Sequence, residues 1–349
     1  MSFTTVRRNF AVKVVAALVA VAMAFVGLMV VSAKDAAAAP DANRDRLRPG
    51  CVWDPYNWWV QYCKVYSPSM QREIPVQIRA AVGGGNASLY MLDGLYGFNP
   101  GASGWIWSGH VAQTFNHDNI TLVAPAAGDG SFYADWYRPA QTPEGPKIQK
   151  WETFLTRELP VYLQREFGVS PNRNAIAGLS MGAAAAMSLA ARHRDQFKHV
   201  TSLSGYYQTS NPIVATGTTA MVASTGVANP FDMWGVPFPA SPERLAHDPS
   251  LLLNQLQGLP MYISSAQGVS SLWSDPSVLN RPVPELPDTV WRSVMESVSR
   301  ASTQMFEQDA RRAGLNAQFV YSPNGIHSWE LWGRDAALAR PHILRALGV

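Results

Sequence analysis

The chain has 349 residues, 47% of them hydrophobic and 15% charged, with a formal net charge of +3 at pH 7. Arg7, Arg8, Lys13 and Lys34 against Asp35 place that excess in residues 1–39, so the remainder is near neutral and offers no basic face for nucleic acid. The aromatic content and the lack of low-complexity runs exclude a disordered chain, and about 310 residues beyond the N-terminal segment can bury a sizeable core.

Residues 1–39 read as a signal peptide. Arg7, Arg8 and Lys13 precede an uncharged apolar stretch over 14–31, followed by the small-residue exits Val31-Ser32-Ala33 and Ala36–Ala39 before Pro40. The apolar stretch is also long enough to serve as an uncleaved anchor. Either reading carries the body of the chain out of the cytoplasm, to a secreted or envelope-associated location. In the oxidising compartment this implies, Cys51 and Cys63 are expected to pair, leaving no cysteine as nucleophile or zinc ligand.

Residues 40–66, rich in charge, proline and aromatics, read as an N-terminal extension stapled by that disulfide onto a domain over 67–349. From Gln71 the pattern turns to strands: Ile74, Val76 and Ile78 alternate with polar residues, and Ser88 to Leu92 is a buried strand ending in Asp93-Gly94-Leu95. Trp105 to Phe115 predicts a short helix, Ile120 to Pro125 another buried strand, and Lys150 to Phe167 an amphipathic helix. After the strand at Val200 to Leu203, residues 209–258 show few regular signals and read as an insertion over the active site. A strand at Met261 to Ser265, a long helix over Val290 to Ala313 and a last strand at Gln318 to Tyr321 complete the order. Strands alternating with helices predict an α/β fold of the α/β-hydrolase kind, with a mostly parallel sheet and helices on both faces.

The chemistry centres on Gly178-Leu179-Ser180-Met181-Gly182. An apolar strand over 174–179 runs into it and an Ala-rich helix over 181–193 runs out, the context that puts a serine hydroxyl on a sharp exposed turn. The backbone N–H of Met181 then faces the place where an oxyanion forms. A serine needs a base, and the base needs a carboxylate. His327, in the Gly-containing loop after the last strand, has the right position in chain order. For the acid, the pattern leaves Asp275, Asp288 and Glu296 open.

Leu92-Asp93-Gly94-Leu95, Ser131-Phe132-Tyr133-Ala134-Asp135-Trp136-Tyr137, Lys150-Trp151-Glu152-Thr153-Phe154, Gly178-Leu179-Ser180-Met181, Met233-Trp234-Gly235 and Pro323-Asn324-Gly325-Ile326-His327-Ser328-Trp329 occur in this order. Together they resemble the secreted mycolyltransferases of the antigen 85 type over roughly residues 65–345. The resemblance implies a seryl acyl-enzyme on Ser180, with His327 as base and Glu296 as acid. It places the oxyanion donors at the backbone N–H groups of Leu95 and Met181. It further implies trehalose monomycolate as acyl donor, a sugar hydroxyl as acceptor, Asp93 and Trp329 at the sugar site, and no metal or cofactor. One departure bears on the acceptor: the Arg that usually follows Asp-Gly-Leu and contacts trehalose is Tyr96 here. That exchange opens a protein Ser or Thr hydroxyl, or cell-wall arabinan, as an alternative acceptor. A secreted carboxylesterase is the rival activity.

Overall fold

The computed structural model describes residues 43–98, 101–268 and 286–349. The segment read as a signal peptide and the candidate acid Asp275 lie outside them. The strands are β1 (Cys51–Trp53), β2 (Gln61–Ser67), β3 (Arg72–Arg79), β4 (Ser88–Leu92), β5 (Thr121–Pro125), β6 (Ala140–Thr142), β7 (Gly145–Lys147), β8 (Asn174–Leu179), β9 (Phe197–Leu203), β10 (Met261–Ala266) and β11 (Ala317–Ser322). The helices that position the site are α1 (Gly104–Trp107), α2 (Val111–Thr114), α3 (Leu159–Phe167), α4 (Met181–Arg192), α5 (Pro212–Ser224), α6 (Leu286–Arg312) and α7 (Trp329–Leu347).

Nine strands form one sheet in the order β1-β2-β3-β5-β4-β8-β9-β10-β11. From β5 to β11 neighbouring strands run parallel, while β1, β2 and β3 join antiparallel. β4, β5 and β8 are buried at every position, as strands covered on both faces must be. Ile176 of β8 faces one apolar cluster, with α3 and α4; Ala175, Ala177 and Leu179 face another, with α1, α2 and α7. The predicted α/β-hydrolase architecture is the observed one.

Three local readings change. Residues 51–67 extend the main sheet: β1 is its edge strand and β2 the next one in, with Gln61, Cys63, Val65 and Ser67 turned inward and Cys51 paired to Cys63 across β1 and β2. The predicted helix over 105–115 is two single turns, α1 and α2, separated by His110 in a left-handed conformation. The insertion is more regular than its composition suggests, since it carries α5, whose N-cap Asn211 accepts from the Ile213 N–H ahead of Pro212 at the first turn.

Candidate active site

β8 feeds into α4 through Ser180, whose backbone takes φ 54° and ψ −119°. A non-glycine residue holds such a conformation only where its surroundings over-determine it. Here they do so by close approach. A Cβ on Gly178 would lie 1.9 Å from the Gly182 carbonyl oxygen, and one on Gly182 would lie 2.5 Å from the carbonyl oxygens of Leu92 and Asp93. The Ser180 N–H donates to the Leu203 carbonyl at 2.9 Å, which ties the turn to β9.

His327 lies between β11 and α7, and its Nε2 is 2.8 Å from Ser180 Oγ. Its Nδ1 is 2.8 Å from Glu296 Oε2. A carboxylate on Nδ1 holds the proton there and leaves the Nε2 lone pair for the serine hydroxyl, a tautomer inferred from the network. Glu296 is fully buried, and its other oxygen accepts from the Ala266 N–H at 2.7 Å and the Ser204 hydroxyl at 2.9 Å. Trp332 Nε1 donates to Ser204 Oγ at 3.0 Å, and its ring stands edge-on to the His327 imidazole. Asp288, one of the three candidate acids, is exposed and pairs with Arg292 at 2.6 Å. Ser204 and Trp332 were not legible as site residues. Ser204 does belong to Ser202-Leu203-Ser204-Gly205, a further segment that resembles the family, and just after β9 it takes a left-handed φ of 52°.

Met181 opens α4 beside the serine, and Leu95 lies in the loop after β4. That loop runs beside the nucleophile, since a Cβ on Gly94 would sit 3.1 Å from Leu179 Cδ1 and 3.5 Å from Ser180 Cβ. Asp93, expected at a sugar site, instead turns inward. It is 2% exposed, its Oδ1 accepts from the Ser103 hydroxyl at 3.0 Å, and burial pushes its carboxyl up to about 7. A side chain so enclosed has no surface to offer a ligand. Tyr96 is exposed, and its hydroxyl meets that of Ser224 at 2.8 Å, joining the loop to the end of α5. Trp329 is half-buried, edge-on to Trp105 and Trp332, and lines a cleft of about 640 Å³ with Trp107, Arg292 and Arg334.

Away from the triad, Glu152 gathers Arg192 and His193 from the end of α4 and His247 from the insertion, at 3.0, 2.7 and 3.0 Å. Burial opposes its charge, yet hydrogen bonds to His193 and His247, with the charges of His247 and Arg192, hold the carboxyl well below the usual range. Among the described residues, no group of three or more His, Cys, Asp or Glu is disposed to hold a metal ion.

The family model described as "Putative esterase" matches residues 67–343. The diacylglycerol acyltransferase/mycolyltransferase Ag85A of Mycobacterium tuberculosis (strain ATCC 25618 / H37Rv) is 36% identical over 297 residues, covering 83% of this chain and 82% of the relative. The corresponding Ag85C of Mycobacterium leprae (strain TN) is 31% identical over 291 residues, covering 82% of each. Among solved structures, Mycobacterium tuberculosis MPT51 (FbpC1) superposes with a TM-score of 0.68 at 28% identity, covering 82% of this chain and 98% of that one. An S-formylglutathione hydrolase from Agrobacterium tumefaciens, at 14% identity and a TM-score of 0.58 over 83% of this chain and 95% of that one, shares the fold alone. The chain belongs to this esterase family and, within it, to the antigen 85 mycolyltransferases, as a serine hydrolase-type enzyme.

Proposed function

We propose that this chain is an exported acyltransferase that moves a mycoloyl group from trehalose monomycolate to a second hydroxyl. The observation that carries the reading is the unbroken chain Ser180–His327–Glu296, with both hydrogen bonds at 2.8 Å, in a relative of mycolyltransferases. Ser180 Oγ attacks the ester carbonyl while His327 Nε2 takes its proton. The backbone N–H groups of Leu95 and Met181 hold the oxyanion. The bond to the donor sugar breaks, the proton passes to the departing oxygen, and an acyl-Ser180 ester remains. An acceptor hydroxyl then gives its proton to Nε2 and its oxygen to the acyl carbon, which restores Ser180. One ester is exchanged for another, and no water is consumed.

The acyl chain needs an apolar wall beside Ser180. Val222 of α5, with Val227, Met233 and Trp234 of the insertion, belongs to the same cluster as Met181 and Phe132, and Leu95 packs against it. The acceptor sugar is assigned to the side of Trp329, whose cleft combines aromatic faces with arginine forks. With trehalose monomycolate as acceptor the product is trehalose dimycolate; with cell-wall arabinogalactan it is an esterified polymer.

A second acceptor class, a protein Ser or Thr hydroxyl, draws support from Tyr96. Where the resemblance leads one to expect an arginine, this residue engages Ser224 through its one hydroxyl. The test is a partition assay with trehalose monomycolate as donor and trehalose, arabinan or a Ser/Thr peptide as acceptor. A new acyl ester on any of them supports transfer, and its identity names the acceptor. Release of free acid alone assigns the chain as an esterase.

A further inference from the structure

The loop that carries Leu95 must hold one backbone N–H to within a fraction of an ångström of the developing oxyanion. It is anchored at three points. The Leu95 carbonyl accepts from the Gly130 N–H at 2.8 Å, and the Asp93 N–H donates to the Tyr133 hydroxyl at 2.8 Å. The third anchor is the Asp93 side chain, which turns inward and meets Ser103, whose N–H in turn donates to Gln77 Oε1 at 2.5 Å on β3. The Gly104 and Trp105 N–H groups at the start of α1 also face the carboxyl and favour its charged form, while the second oxygen, Oδ2, is enclosed and makes no hydrogen bond of its own.

We infer that Asp93 is a positioning residue of the oxyanion loop: its inward carboxyl pins the segment that carries the Leu95 amide to Ser103. The inference rests on the acyl-enzyme chemistry proposed above and adds to it a residue that works behind the site.

Two observations support this role. An unpartnered, enclosed oxygen is tolerated far better on a neutral carboxyl than on a carboxylate. The burial that pushes Asp93 up to about 7 keeps it mostly neutral in the acid range below that value. A neutral group behind the loop also leaves the oxyanion donors unopposed, whereas a negative charge there works against them. The charged and titratable groups acting on Asp93 are Asp129 and Tyr133, both in the loop after β5; the Ser103 hydroxyl and the Gly104 and Trp105 N–H groups, on the side of α1, are neutral donors. Ser180 lies across Gly94.

The experiment uses the full chain and a chromogenic short-chain ester, whose acylation reads the oxyanion hole whichever acceptor follows, together with transfer from trehalose monomycolate. Asp93→Ala is expected to lower the acylation kcat at least about 30-fold with KM for the ester unchanged, and Asp93→Asn to recover it to within about threefold. Wild type should lose kcat above about pH 7 as Asp93 ionises, and Asp93→Asn should lack that decline. Ser103→Ala, which removes the donor without touching the loop, should lower kcat in the same sense and guards against an Asp93→Ala chain that fails to fold. If Asp93→Asn leaves acylation unaltered but raises the acceptor KM tenfold or more, Asp93 is a sugar contact and the inference falls. It falls equally if the alkaline decline survives in Asp93→Asn. Normal acylation by Ser180→Ala would instead sink the triad reading, a failure separate from either of these.

Discussion

α4 and α6 each hold one end of the Ser180–His327–Glu296 chain, and they are built in opposite ways. In α4 every residue from Met181 to Ala191 is buried, mostly alanine, so the helix is clamped between β8, β9 and the rest of the core by apolar contact. In α6, as far as Met305, the polarity is reversed. Ser293, Glu296, Ser299, Ser302 and Thr303 face inward, while Trp291, Val294, Val298 and Met305 face outward. Only near its end do Phe306 and Ala310 reach the core. Hydrogen bonds do the rest: Ser302 Oγ donates to Gln208 and accepts from the Tyr207 N–H, the Tyr206 hydroxyl donates to the Met295 carbonyl, and Glu296 takes the Ala266 N–H. Burial fixes the nucleophile, whereas a polar seam fixes the acid. Such a seam loses more from one missing partner than an apolar contact does.

The largest effect is expected at the point where both ends meet. Ser180→Ala or His327→Ala should remove at least about three orders of magnitude of acyl transfer while the circular dichroism spectrum and melting temperature stay near wild type. Near-normal turnover in either variant would take the triad apart. At the α6 end, Glu296→Gln keeps the shape but no longer holds the imidazolium, and the expected loss in kcat is on the order of 10³–10⁴. Asp288→Asn, on the exposed face of the same helix, should leave kcat within about twofold, since surface changes away from a site have small effects. The reverse ranking of the two would move the acid off the seam.

This contrast also explains what could be read in the sequence. The strand, Gly-x-Ser-x-Gly and Ala-rich helix occupy one continuous stretch in which each local preference agrees with the fold, so the turn at Ser180 is legible. His327 is legible from chain order. Glu296 is not, because hydrophobic patterning alone would turn Val294 and Val298 inward and leave the glutamate in water. The resemblance to a known family, not the periodicity, singles it out. The small hydroxyls of Ser293, Ser299 and Ser302 at helical spacing around Glu296 were the available clue to an inward polar face. β1 and β2 were obscured for a related reason, as their alternation is short and sits among exposed aromatics such as Tyr56 and Trp59. α5 was hidden by its β-branched residues and Gly217, although Asn211-Pro212 is a helix-start signature.

Glu152 sharpens the comparison, because it ties the C-terminal end of the apolar α4 to the insertion through charge. Its folded-state pKa is depressed, so its stabilisation is present above the carboxyl's ordinary value of 4.5 and drains away as pH falls from there through the folded value. Glu152→Gln should therefore cost about 3 kcal/mol at pH 7 in chemical denaturation, by removing the charge on which the Arg192 guanidinium and the two imidazoles converge. The difference from wild type should narrow steadily below about pH 4. A constant difference across that range would mean that packing, not charge, is what the substitution removed.

A smaller effect, and none on the triad, is expected at the sheet edge. Replacing Cys51 and Cys63 by serine opens a cross-link over a sequence separation of 12. In the chain-entropy picture it should cost up to roughly 3 kcal/mol of stability. Acylation rates below the melting transition should be unchanged, since β1 and β2 lie at the opposite edge of the sheet from β10 and β11. A matching fall in kcat would show that this edge supports the site.

The central claim, that an acyl group passes through Ser180 to a hydroxyl other than water, is tested most directly by intact-protein mass spectrometry with product analysis after incubation with trehalose monomycolate. The account predicts a covalent adduct of one mycoloyl group on Ser180, formed with release of free trehalose and absent in Ser180→Ala, which disappears on addition of a hydroxyl acceptor as a new mycoloyl ester appears. An adduct that decays only to free mycolic acid with acceptor present, or turnover without any adduct on Ser180, would contradict it.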